Sequence, residues 1–250
     1  MFRVDRAAAA RQSARMEIET SLERQDWSAL RAQLLDAGAA ETGPLLSLRD
    51  CRALKAAYSR ETLFRKRIVM ARHGFGSGEY QYFDDPLPPV VAALRERLYA
   101  RLAPIANEMA ECLGDAADWP GDLDALRARC AAAGQTRPTP LLLKYGAGDY
   151  NCLHQDLYGA VAFPLQVVVQ LSAPGEDFAG GAFVAVETRP RMQSRATALS
   201  PAQGCGVIFA TRDKPRRGAR GWTRSSLRHG VSTVTRGERV TLGVIFHDAA

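Results

Sequence analysis

A chain of 250 residues, 46% hydrophobic and 24% charged, can bury a sizeable core and has the composition of a globular protein, without the long apolar run a membrane-crossing helix needs. Five cysteines, odd in number and never spaced as CxxC, argue against a disulfide framework or a structural zinc site and fit a reducing cytoplasm. The net charge of +6 sits wholly in the second half: residues 1–136 hold 19 basic and 19 acidic residues, and residues 189–239 hold 12 against 2, a balance suited to a polyanionic partner.

The N-terminal "MFRVDRAAAARQSARMEIE" is interrupted by Arg and Glu, so it is expected to start a helix and not to act as an export signal. "WSALRAQLLDAGA" spaces Trp27, Leu30 and Leu34 at helical intervals and stops near Gly38. "SLRDCRALKAAY" predicts a second helix capped by Ser47, with Asp50 in a weak variant of the capping box. "RKRIVMARHG" reads as a strand ending at Gly74, and "GFGSGEYQYFDDPLPP" as a loop. "VVAALRERLYARLAPIANEMAECLG" is a long helical pattern in which Pro104 predicts a break or kink, and "GDLDALRARCAAAG" is a short helix ending at Gly134. After "RPTP" the pattern changes to short β-rich runs between Gly/Pro turns: "LLLKY", "FPLQVVVQLS", "GAFVAV", "CGVIFAT", "LRHGVSTV" and "RVTLGVIFH". Their succession without helices predicts an antiparallel sandwich or barrel. The chain is thus expected to be α+β: a helical layer with one or two strands over residues 1–136, packed against a β core over residues 137–250 in one compact unit.

"YGAGDYNCLHQDLYG" holds His154 and Asp156, two residues apart. On a strand such residues project from one face, so an imidazole and a carboxylate can meet at a point while Gln155 faces away. Of the four histidines, His229 lies in another predicted strand. Two His and one carboxylate make a facial triad, which leaves one face of an octahedral metal open, as non-haem Fe(II) oxygenases require for O₂ and a chelating cosubstrate. Arg239 follows ten residues after His229 and opens the last apolar strand. A guanidinium inside a barrel needs an anion, and a dicarboxylic cosubstrate supplies one. Tyr145 ends a strand just before the pair and can add a hydrogen bond to the same cosubstrate.

These residues carry a resemblance. "HQD", "RHGV" and "GERVTLGVIFHDA" resemble the HxD…H…R pattern of the 2-oxoglutarate/Fe(II) dioxygenase superfamily. The Tyr nine residues before the first His and the Gly six before it are similar to the prolyl 4-hydroxylase branch, as is "FAGGAFVAVE". Blocks such as "RPTPLLLKYGAGDYNCLHQDLYG", "ETRPRMQSR" and "VMARHGFGSGEYQYF" more specifically resemble a bacterial family assigned to oxidative demethylation of alkylated nucleic acid, the work of AlkB-type enzymes. The resemblance implies a double-stranded β-helix, or jelly roll, and a cytoplasmic oxidoreductase in repair of alkylation damage. It implies Fe(II) held by His154, Asp156 and His229, 2-oxoglutarate held by Arg239 and Tyr145, and O₂ as oxidant. Two features depart from AlkB-type enzymes: their Arg-rich signature after the distal His is not matched in detail, and the closing "FHD" resembles prolyl hydroxylases. A protein or peptide hydroxylase of prolyl type is therefore a rival reading, and a non-catalytic nucleic-acid-binding module a third.

Substrate candidates are more diffuse. "TRDKPRRGARGWTRSSLR" carries seven basic residues around Trp222 and leads into His229. It is either a solvated basic loop or a grip in which Arg217, Arg220 and Arg224 hold the phosphates of alkylated DNA or RNA and Trp222 stacks on a base. Tyr150 and Tyr158 flank the HxD pair and are further substrate candidates. Cys152 reads as a small buried thiol, His247 as structural, and His73 as a residue closing a strand or touching substrate.

Overall fold

The computed structural model describes residues 2–156, 159–189, 192–219 and 221–250, with backbone alone for residues 2–7. Helix α1 (Phe2–Glu23) is followed by α2 (Trp27–Ala37), which begins where the Asp26 carboxylate accepts from the Ala29 amide and ends on Gly38 at φ 74°. Strand β1 (Ala39–Pro44) precedes α3 (Leu48–Ala57), capped by the Ser47 hydroxyl accepting from the Asp50 amide. Strand β2 (Phe64–Val69) is shorter than the sequence predicts, because Met70–His73 wind into a tight turn closed by Gly74. The stretch expected as a loop forms β3 (Gly76–Ser77) and β4 (Glu79–Phe83). Residues 1–136 therefore hold four strands where one or two are expected. Helix α4 (Pro89–Leu113) runs unbroken through Pro104, whose neighbours Ala103, Ile105 and Ala106 are buried against the core. Tertiary packing outweighs the loss of one backbone donor. Helix α5 (Leu123–Ala132) starts on Asp122.

The strands of the second half follow: β5 (Leu141–Tyr145), β6 (Tyr150–His154), β7 (Leu165–Gln170), β8 (Phe178–Gly180), β9 (Phe183–Thr188), β10 (Arg195–Leu199), β11 (Cys205–Ala210), β12 (Asp213–Gly218), β13 (Gly221–Val231), β14 (Val234–Gly237) and β15 (Arg239–Val244). One sheet has the order β1-β11-β7-β15-β5-β4-β2, and the other β10-β9-β13-β6-β3 with β12 paired to β13. Every pairing between these strands is antiparallel. The two sheets face each other as a double-stranded β-helix. Strands β11 and β15 are buried along their whole length, with one side towards the barrel interior and the other under helices. That double burial is why they read as unbroken apolar runs. Helix α4 crosses the end of β15: Tyr99 packs with Phe163 and Phe246, at centroid distances of 5.0 and 5.9 Å. Among the described residues no helix is long and apolar enough to cross a membrane.

Candidate metal centre and its cavity

His154 closes β6, and β13 lays His229 directly opposite it in register. The two rings lie 4.3 Å apart. A register shift between His229 and Val231 tightens this junction, and Gly230 allows it: a Cβ there would stand 2.6 Å from the Asn151 carbonyl oxygen. Asp156 lies two residues beyond the end of β6, not on the strand as the i, i+2 argument assumes. Its carboxylate still reaches both rings, Oδ1 at 3.6 Å from His154 Nε2 and Oδ2 at 3.3 Å from His229 Nε2. Gln155 also borders the cavity, and its amide donates to the Leu227 carbonyl at 2.9 Å and the Ser226 hydroxyl at 3.0 Å. The strand beneath thus fixes the turn that carries Asp156.

The orientation of each ring suits ligation. His154 Nδ1 is 2.7 Å from the Cys152 carbonyl, so Nδ1 carries the proton and Nε2 presents its lone pair towards Asp156. Burial, then the neighbouring His229, push the His154 imidazole towards its neutral form. His229 is buried against Phe209 at 4.4 Å and Phe183 at 6.0 Å. One donor atom from each of His154, Asp156 and His229 falls within a 4.8 Å cluster. Two imidazoles and a carboxylate form the donor set that suits Fe(II), so the residues fit that metal.

The cluster forms one wall of a cavity of about 320 Å³. Arg239 lies on another wall, opposite Tyr145 in the β15–β5 register, with its guanidinium 5.6 Å from the Tyr145 ring centre. Both side chains are buried. Arg239 Nε and Nη1 have no hydrogen-bond partner among the described residues. Burial pulls the guanidinium down to about 10, so it remains charged at neutral pH. Burial pushes the Tyr145 phenol well above its ordinary value, leaving it protonated and able to donate. A charged fork with open donors inside a protein is costly unless an anion meets it. Gly181, at φ +63°, lets the Arg239 stem pass: a Cβ there would stand 2.8 Å from Arg239 Cδ. This is the physical content of the Gly-Gly signal.

The same cavity holds polar and aromatic groups that the sequence reading passes over. Gln166 Nε2 and Thr241 Oγ1 are buried in its lining without partners among the described residues, and Tyr80, Tyr82, Phe75 and Leu153 also line it. The alternation in "EYQYF" was the available signal for the two tyrosines.

The substrate candidates fare differently. Tyr150 is exposed and does not line the cavity, and Tyr158 and Arg220 lie outside the described residues. The basic segment is not a loop but the hairpin β12–β13, whose β12 packs against α2 and α4. Arg217, Trp222 and Arg224 do not line the cavity. Arg224 instead makes a bidentate ion pair with Asp115 at 2.8 Å, and Arg217 lies over the Trp222 ring at 5.4 Å. Cys152 is exposed, not buried.

A family model named Oxygenase-NA, described as an oxygenase catalysing oxidative methylation of damaged DNA, matches residues 78–249. An uncharacterized protein of Mycobacterium tuberculosis, found in two strains, is 55% identical over 168 residues, which is 67% of this chain and 72% of the relative. Among solved structures, a prolyl-4-hydroxylase of Pseudomonas putida aligns with 90% of this chain and 100% of its own, at a TM-score of 0.52 and 16% identity. An oxidoreductase of the 2OG-Fe(II) oxygenase family from Burkholderia pseudomallei aligns with 91% of this chain and 94% of its own, at a TM-score of 0.52 and 17% identity. At those identities the likeness is one of fold.

Proposed function

We propose that this chain, which belongs to the Oxygenase-NA family and is an oxygenase, holds Fe(II) through His154, Asp156 and His229, takes 2-oxoglutarate against Arg239 and Tyr145, and oxidises an N-methyl group on a damaged nucleobase. The observation that carries the reading is the pairing, in one cavity, of a converging His–Asp–His cluster with a buried arginine whose donors are open. When bound, iron and 2-oxoglutarate supply with O₂ the oxidising power, with succinate and CO₂ formed and one oxygen atom passed to a substrate C–H bond.

The chain's own residues do the arranging. The Cys152 carbonyl fixes the tautomer of His154, and Phe209 and Phe183 hold the His229 ring. Arg239 is a planar fork matched to a carboxylate, with the protonated Tyr145 hydroxyl beside it. Val168, Phe183 and Phe209 keep the interior apolar, which strengthens each of these contacts. An oxygen inserted into an N-methyl C–H bond gives a hemiaminal that splits into formaldehyde and the bare base nitrogen. The chemistry therefore removes the methyl group.

The test is formaldehyde release from methylated single- and double-stranded oligonucleotides, with Fe(II), 2-oxoglutarate and O₂. Wild-type protein is expected to release formaldehyde together with succinate, and His154→Ala and Asp156→Ala neither. Succinate at wild-type yield from either variant removes the metal assignment. Succinate without formaldehyde on every methylated strand favours hydroxylation of a peptide instead.

A further inference from the structure

The arginine-rich hairpin is the obvious place for a polyanion, yet its described basic residues do not line the cavity and three of them are already matched, while Arg216, Arg217 and Arg228 make no ion pair among the described residues. Arg212 and Arg224 meet Asp213, Arg224 also meets Asp115, and Lys214 is fully buried between Glu187 and the Asp36 carbonyl. The neighbouring Arg189 is held by Glu187.

Residues 64–83 lead into the cavity instead, and of their cations only Arg67 is matched within the segment, by Glu79. Strand β2 is the edge of the larger sheet, beyond β4. Lys66 pairs with Tyr82 and Ile68 with Tyr80, so these four side chains share a face. Tyr80 and Tyr82 line the cavity, and that face therefore continues outwards from the cavity onto the exposed Lys66. Arg65, at the irregularity beside Lys66, lays its guanidinium over the Tyr82 ring at 4.6 Å and donates to the Pro138 carbonyl at 3.0 Å. Arg137 lies close enough for the two like charges to repel. Arg65, Lys66, Arg72 and Arg137 make no ion pair among the described residues; Asp84 and Asp248 act on Arg65 only from beyond ion-pair distance. Like charges gathered without a carboxylate partner favour an incoming anion.

Past the turn, Phe75 is 45% exposed at the cavity lining, with His73 stacked behind it at 5.3 Å and 23°. Its carbonyl accepts from the Cys152 amide at 2.9 Å, which ties it two residues from His154. Leu153, also 45% exposed, lines the same opening from β6. An aromatic face held open beside a cavity is a stacking platform for a base.

We propose that the rim of residues 64–83, and not the β12–β13 hairpin, receives a nucleic-acid strand, with the target base stacking on Phe75 as it enters the cavity and phosphates lying against Arg65, Lys66 and Arg137. This rests on the nucleobase reading given above. Base and phosphates are recognised by different groups, so the two halves separate experimentally.

The test uses the full chain and end-labelled single strands carrying an N-methyl base, the unmodified base or an abasic position, with affinity followed by fluorescence anisotropy against salt. Replacing Arg65, Lys66 and Arg137 together by Gln is expected to weaken all three strands alike and to make the slope of log K against log salt shallower by about two. Phe75→Ala is expected to lose roughly tenfold on strands with a base and little on the abasic strand. Arg217→Gln with Trp222→Ala is expected to bind as wild type does. The inference is overturned if the hairpin variant loses affinity while the rim variants keep it. Equal weakening of abasic and base-bearing strands by Phe75→Ala also overturns it. A wild-type protein that releases formaldehyde while the rim variants bind normally removes this inference alone. Succinate production with neither strand binding nor formaldehyde removes the nucleobase reading and this inference with it.

Discussion

Arg95 and Arg239 are equally hidden, at 1% and 2% exposure, and their surroundings are opposites. Arg95, on α4, donates to the carbonyls of Ile245 and Phe246 at 2.9 and 2.7 Å and to the Asp248 carboxylate at 2.7 Å. Arg127 approaches the other oxygen of that carboxylate at 3.1 Å. Arg239, on β15, has two donor atoms with no partner among the described residues and an aromatic face beside it. Burial lowers both guanidinium groups from their ordinary value; Asp248 opposes this at Arg95, and only the weaker influence of Tyr145 does so at Arg239. A buried charge whose partners lie within the chain belongs to the scaffold. One whose partners are absent from the chain marks where a ligand completes the fold.

The comparison breaks most visibly at Asp248. Asp248→Ala strands Arg95 as an uncompensated buried charge and is expected to lower stability by about 3–5 kcal/mol. Urea denaturation measures this, and a loss below about 1 kcal/mol ends the view of Arg95 as the bolt between α4 and the end of β15. Adding Arg95→Met to that variant removes the stranded charge and is expected to recover much of the loss.

Arg239→Met should behave in the opposite way. Exchanging an unpartnered buried cation for an apolar chain of similar length is expected to leave stability unchanged or raised. The penalty falls on the cosubstrate: 2-oxoglutarate affinity should drop by about a hundredfold, within the roughly 2–5 kcal/mol that a buried charge contact contributes to binding. Anaerobic calorimetric titration of the metal-loaded protein measures it. Unchanged affinity removes Arg239 from its role.

His247 senses both regions. Its Nδ1 accepts from the Phe163 amide at 3.2 Å, and burial first, then Arg95, press its pKa down to about 4, with Asp156 and Asp248 acting the other way. The unfolded chain therefore takes up this proton more readily than the folded one. Stability is full above about pH 6.5 and falls as pH drops towards 4, by roughly 1.4 kcal/mol for each step of one in pH. Glu187, held near 2 by Arg189, Ser225 and Lys214 against its own burial, adds a further loss only below its ordinary range. His154 is also pressed down, by burial and then by His229, so the decisive measurement compares wild type with His247→Asn. Asn retains an acceptor for Phe163, and the stability–pH curve of that variant should be flatter between pH 6.5 and 4.5. Equal slopes remove His247 as the source.

What was legible in the sequence was what local spacing carries. His154, the distal His and the Arg ten residues on could be read because each sits on a predicted strand, and Asp156 because it follows His154 by two residues, although it lies past the strand's end. Strand β4 was hidden by glycines on its approach, although Tyr80 and Tyr82 alternate with Glu79 and Gln81. Strand β1, "AAETGP", has little intrinsic preference for extension and forms because β11 offers it an edge. The basic segment misled for a different reason. Arg224 is neutralised by Asp115 and Lys214 is buried beside Asp36, partners more than a hundred residues away in the chain, and no local pattern reveals which charges are matched in the fold.

The smallest expected effect probes how Arg239 is aimed without touching its charge. Gly181→Ala places a methyl 2.8 Å from Arg239 Cδ and 2.9 Å from Val234 Cγ2, on a backbone at φ +63°. The left-handed conformation alone costs an L residue roughly 1–2 kcal/mol, so a modest loss of stability is expected. The informative quantity is the ratio of effects. If Gly181 serves mainly to let the arginine stem through, 2-oxoglutarate affinity should fall severalfold, because the fork is displaced from its carboxylate while its charge is kept. If the loss is confined to stability and 2-oxoglutarate binds as before, Gly181 is a turn glycine like any other, and the aim of Arg239 comes from the β15–β5 register alone.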